Sequence, residues 1–148
     1  MKDYTINKNT LALVPLGKKK TIIYENHDCY VIEQKISKIM DKNCEYNGSS
    51  LNGRLKGTYS LTGFNYKAPL IIAEDKNLIF FPTCSPRLKD CAWINVNNIN
   101  RIFSRNEKCL IEFFNEECLE FDTSYRIINN QYLKSLSLEK AFKNRKSE

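Results

Sequence analysis

The apolar residues of this chain fall into short runs separated by turn residues, which restricts the folds open to it. Leu70-Ile71-Ile72-Ala73 and Leu78-Ile79-Phe80-Phe81 flank the polar Glu74-Asp75-Lys76-Asn77. Runs of this length, rich in β-branched and aromatic residues and closed by polar clusters, read as strands; a pair so closely spaced reads as a hairpin. Residues 109–114 and 118–121 repeat the arrangement around Asn115-Glu116-Glu117. Further strands are expected over 10–15, 21–25 and 99–103, the first a short edge strand because it ends in Pro15. Helical periodicity appears in two places. Ile36, Ile39, Met40 and Cys44 share one helical face and predict a helix over 34–47, with Gly48 placed to end it. Tyr125, Ile128, Tyr132 and Leu136, with Ser124 as N-cap, predict a helix over about 125–144.

The pattern therefore predicts an α+β fold: a single strand-rich domain with antiparallel hairpins, one short central helix and a C-terminal helix. Its 148 residues, 42% of them hydrophobic, are enough to bury a core. Residues 10–148 are expected to form it, behind a flexible, polar 1–9. Trp93, Phe80, Phe81 and Tyr46 are assigned to the core. No apolar run is long enough to cross a bilayer, and the start, Met1-Lys2-Asp3-Tyr4-Thr5-Ile6, has no signal-peptide core. A cytoplasmic protein with no membrane partner is expected.

Between the two halves of this pattern lies Gly48-Ser49-Ser50-Leu51-Asn52-Gly53-Arg54-Leu55-Lys56-Gly57-Thr58. Gly48, Gly53 and Gly57 suggest a loop whose backbone can approach another surface closely. Asn52, Arg54 and Lys56 would give it a basic, polar edge. The chain carries a net charge of +6, and its acidic residues cluster in 94–125, so a polyanion-facing surface is expected away from that segment. Pro82 and Pro86 would shape the exit from the second strand and bring Arg87 and Lys89 onto an exposed loop. Lys18-Lys19-Lys20 is either a solvated turn or a phosphate contact. Lys140, Lys143, Arg145 and Lys146, which end the C-terminal helix, either complement the helix dipole or meet DNA or a partner.

Catalytic chemistry is not visible. His27 is the single histidine, and no phosphate loop, dinucleotide fingerprint or H-E-x-x-H is present. No enzyme activity and no cofactor are expected. Six cysteines in a chain without a signal sequence should be reduced thiols. No C-x-x-C pair announces zinc. Cys29, Cys44, Cys84 and Cys91 form a conceivable ligand set, but buried structural thiols explain them more simply.

Several ordered motifs carry a resemblance. They are Cys44-x-Tyr46-x-Gly48-Ser49-Ser50-x-x-Gly53-Arg54-x-x-Gly57-Thr58, then Lys67-Ala68-Pro69, Phe80-Phe81-Pro82-Thr83 with Ser85-Pro86, and Cys91-Ala92-Trp93-Ile94. Weaker echoes follow at Ser124-Tyr125 and Asn130-Gln131. Over about residues 24–136 the chain resembles the ComK-type competence transcription factors of low-GC Gram-positive bacteria. The resemblance implies a cytoplasmic activator of DNA-uptake genes that binds A/T-rich boxes as an oligomer, mainly through the minor groove. The chain departs from the pattern after Trp93-Ile94, where Asn95-Val96-Asn97-Asn98 replaces the usual histidines. Longer relatives carry a C-terminal extension read by an adaptor–protease system. The end at Glu148 leads to the expectation that this control is absent.

The expected partners are A/T-rich duplex DNA, further copies of the chain as a homodimer or dimer of dimers, and RNA polymerase. Arg54, with Asn52 and Lys56, is expected in a narrow minor groove, where A-tracts concentrate negative potential. Lys67, Arg87 and Lys89 are the second set of phosphate contacts. The strands and the C-terminal helix are both candidate dimer surfaces. The alternative is a paralogue that binds DNA weakly or not at all and modulates a full-length factor by protein–protein contact.

Overall fold

The computed structural model describes residues 3–85 and 91–146. Six strands form one antiparallel sheet: β1 Thr10–Leu16, β2 Lys20–Glu25, β3 Cys29–Ile32, β4 Leu70–Ala73, β5 Leu78–Pro82 and β6 Trp93–Asn95. Their order is β3-β2-β1-β6-β5-β4. A 3₁₀ turn, Val96–Asn98, leads into a second antiparallel sheet, β7 Ile99–Arg105, β8 Lys108–Phe113 and β9 Cys118–Phe121. Three helices complete the described residues: α1 Ile36–Tyr46, α2 Leu51–Thr62 and α3 Tyr125–Lys146. This is the expected α+β class, and both hairpins, β4–β5 and β8–β9, pair where the sequence placed them.

Both faces of the larger sheet are covered. On one face Leu13, Ile23, Leu70, Ile72, Phe80 and Trp93 pack against Ile39, Met40 and Cys44 of α1. On the other Leu11, Ile71, Ile79, Phe81 and Ile94 meet Ile128 and Leu138 of α3 and Ile111 and Phe113 of the small sheet. Burial on both faces explains why β4 and β5 read as unbroken apolar runs rather than alternating ones. Phe80, Phe81 and Trp93 are core residues, as expected, whereas Tyr46 is 74% exposed. At the end of α1 its side chain lies past the buried stripe formed by Ile39, Met40 and Cys44.

Three expectations are corrected by the packing. β1 is central in the sheet, not an edge strand. β6 pairs only with Ala12 and Leu13, so Pro15 lies beyond the shared ladder and costs it no hydrogen bond. Residues 3–9, expected to be loose, are anchored. Ile6 is buried and its N–H donates to Asn43 Oδ1 (2.8 Å), while the Tyr4 hydroxyl donates to the Glu25 carboxylate. The third correction is the largest: residues 51–62 are a helix, not a loop.

The ends of α1 and α2 explain that helix. Gly48 takes φ 84°, its N–H donates to Glu45 O (2.9 Å), and Ser49 N–H donates to Cys44 O (2.9 Å). This pair of bonds closes α1 and turns the chain at once into α2. Ser50, extended, then caps α2 by accepting from Gly53 N–H (2.9 Å). Gly63, at φ 80°, ends it. No helix among the described residues is long and apolar enough to cross a membrane.

Candidate nucleic-acid interface

α2 stands at the β4 edge of the large sheet, in contact with α1, α3 and β4. Its inner side is fixed by apolar contacts and by polar clasps. Leu51 and Leu55 pack on the α1-side core and Leu61 on the α3-side core. The Thr58 hydroxyl, buried, donates to Pro69 O (2.8 Å). Leu51 N–H donates to Asp41 Oδ1 (2.8 Å), tying the first turn of α2 to α1.

The outer side presents Asn52, Lys56 and Tyr59, all exposed. Their spacing of four and then three residues places them on one helical face. Arg54 lies on the opposite side, with its side chain only 13% exposed. Its Nη1 donates to Glu74 Oε1 at 2.9 Å and its Nη2 to Asn47 O at 3.2 Å. Nε is buried and has no hydrogen-bond acceptor. The guanidinium thus bolts the start of α2 to the end of α1 and to the β4–β5 turn, and it is not free at the surface.

Of Gly48, Gly53 and Gly57, only Gly48 uses a left-handed backbone, and Gly53 and Gly57 lie inside α2. A Cβ on Gly53 would stand 2.7 Å from Ser49 Oγ and 3.1 Å from Ser50 Oγ, so the cap itself favours glycine there. A Cβ on Gly57 would meet nothing within 4 Å. Both line a cavity of about 210 Å³ between α2 and the end of α3, beside Phe142 and Arg145.

Lys67 sits on a separate loop at φ 47°, with its Nζ 5.3 Å from the Tyr66 ring centre. The structure therefore brings Asn52 and Lys56 together and sets Arg54 and Lys67 apart from them. Arg87 and Lys89 lie outside the described residues. Tyr59 was missed by the sequence reading. Ser50 as an N-cap would have revealed it, because a helix from residue 51 puts Tyr59 in line with Asn52 and Lys56.

The four thiols considered as zinc ligands are dispersed. Cys29 is exposed on β3, Cys44 is buried in α1, and only Cys84 and Cys91 adjoin, with Cys91 Sγ donating to Cys84 O (3.3 Å). Among the described residues no three His, Cys, Asp or Glu side chains gather as a metal site. Burial pushes the thiols up: Cys44 and Cys109 to about 11 and Cys91 to about 12.

The family model for the ComK protein matches residues 1–147. The chain belongs to the ComK family. A competence transcription factor of Bacillus subtilis (strain 168) is 28% identical over 149 residues, covering 98% of this chain and 78% of that one. No solved structure matches.

The ComK-like motifs, scattered in sequence, interlock in space. Gln131 Nε2 donates to Lys67 O (2.7 Å) and Pro82 O (2.8 Å), joining three motifs at one buried amide. Thr58 clasps Pro69, and Ala92 N–H donates to Thr83 Oγ1 (3.1 Å). The asparagines that follow Trp93-Ile94 are also engaged. Asn95 Nδ2 donates to Thr10 O (2.8 Å), Asn98 Nδ2 to Lys8 O (2.9 Å), and Asn97 Nδ2 to Asn77 O. These bonds hold the crossover between the two sheets against β1 and the β4–β5 turn.

Proposed function

We propose that this ComK-family chain regulates transcription of competence genes inside the cell by binding A/T-rich duplex DNA as an oligomer. The observation that carries this reading is the near-full-length similarity to a protein described as a competence transcription factor. The net charge of +6 and the exposed Asn52–Lys56–Tyr59 face of α2 support a polyanion partner.

In this reading α2 approaches the minor groove with its outer face. Lys56 enters the strong negative potential of a narrow A-tract groove, and Asn52 hydrogen-bonds at the groove edge. Gly53 and Gly57 leave one flank of the helix without side chains, so the backbone can come close to the sugars. Arg54 contributes indirectly, by fixing the angle at which α2 leaves the molecule. Arg87 and Lys89 neutralise phosphates and add salt-dependent affinity without sequence preference.

The test is binding to two matched duplexes, one carrying A- and T-tract boxes and one G/C-rich, over a salt series. The expected result is a preference for the A/T duplex that persists as salt rises. Lys56→Ala should reduce that preference as well as affinity. Equal binding that collapses with salt would leave only a basic surface. No binding to either duplex would overturn the reading in favour of a paralogue that acts through another protein.

A further inference from the structure

An open groove of about 460 Å³ runs between α3 and the 64–67 loop. Phe64, Tyr66, Ile127 and Leu133 give it an apolar lining, and Lys67 and Lys134 supply its cations. Leu133 is 50% exposed and Tyr66 65%, a large apolar area to leave in water. The groove is preformed. Gln131 pins the loop backbone at Lys67 O, and Lys134 Nζ lies 5.6 Å from the Phe64 ring centre and donates to Tyr66 O (3.4 Å).

The turn between β8 and β9 has the complementary chemistry. Phe114 stands 67% exposed at its tip, followed by the exposed Glu116 and Glu117, whose carboxylates have no partner among the described residues. The turn is held rigidly. Phe114 N–H donates to Asn98 O (3.1 Å), Phe113 N–H to Glu117 O (2.9 Å), and Asn115 Nδ2 to Asn26 O (3.0 Å). An aromatic knob followed by two unpaired acids, and an aromatic-lined groove flanked by lysines, are both ordered before they meet, so little conformational entropy opposes contact.

We propose that the groove takes the Phe114 tip of a second copy of this chain, with Glu116 and Glu117 of that copy paired to Lys67 and Lys134. Tip and groove are different patches of one chain, so the contact is head-to-tail and leaves each end of the pair able to add another copy. It deepens the oligomer of the proposed function by giving it an interface. Because it is tested without DNA, its failure would leave DNA binding standing.

The experiment is sedimentation velocity of the full chain, without DNA, from low to high micromolar concentration. The unaltered chain should associate progressively. Phe114→Ala should weaken association roughly tenfold or more, as expected for an aromatic anchor, with an unchanged melting temperature because the ring is exposed. Lys67→Glu/Lys134→Glu, and separately Leu133→Asp, should also stay monomeric. A mixture of the Phe114→Ala chain with either groove variant should give a dimer and nothing larger, since one intact tip and one intact groove remain. A monomeric unaltered chain, unaffected association in the Phe114 variant, or a mixture that stays monomeric would each overturn the proposal.

Discussion

Arg54 has the most consequential environment of any single residue here. Its guanidinium serves Glu74 and the Asn47 carbonyl together, and only a planar, branched donor spans both. Arg54→Ala should cost about 1–2 kcal/mol in denaturant unfolding, the low end for a charged hydrogen bond because Glu74 is half exposed. Arg54→Lys should recover little of it. Lost DNA binding in the alanine variant is therefore informative only at matched folded fraction. The thiols give a second residue-scale prediction. A maleimide should label Cys29 and Cys118 in the native state, while Cys44, Cys91 and Cys109 stay protected until unfolding. Burial holds these three as thiols, with folded pKa values above the ordinary value of 9.0. The folded chain therefore keeps protons that the unfolded chain releases. Their stabilisation is complete below pH 9 and declines as pH rises through about 11 for Cys44 and Cys109 and about 12 for Cys91. Urea midpoints measured from pH 8 to pH 11 check the sign, and a midpoint that rises over this range would refute it.

α2 shows what was and was not legible at the scale of elements. The hairpins could be read from short apolar runs closed by turn residues, and the other two helices because their apolar spacing matched the helical period. In α2 the apolar residues Leu51, Leu55 and Leu61 are few and are interrupted by two glycines, each costing a helix about 1 kcal/mol relative to alanine. What forms the helix is its ends, the Gly48 turn and the Ser50 cap, together with contacts from α1, α3 and β4 that no local pattern reveals. The relative placement of the candidate residues was misread for the same reason. Read as a loop, Arg54 and Lys56 seem to share one surface; on a helix they fall on opposite sides. Gly57→Ala should stabilise the protein by roughly 0.5–1 kcal/mol, because the helix gains propensity and the added methyl meets nothing. Gly53→Ala should gain less, since Ser49 has to turn away. Thermal melts of the two variants give the comparison. If Gly57→Ala raises the melting temperature yet weakens A/T binding, its flank of α2 meets DNA.

Across the whole molecule, the strand order puts partners far apart in the chain side by side. Ala12 and Leu13 of β1 wait for Trp93 and Ile94 of β6 before the large sheet has a centre. A ribosome making this protein therefore exposes β3-β2-β1 as a three-stranded ribbon long before its missing neighbour emerges. During that interval the main-chain groups of β1 that β6 will satisfy are open to any other extended segment, including the same ribbon on a neighbouring nascent chain. Closing so long a loop makes folding slow compared with that of a helical protein of equal size. The yield of active protein in the cell is then governed by how fast the second half of the chain arrives, and not only by how stable the finished fold is.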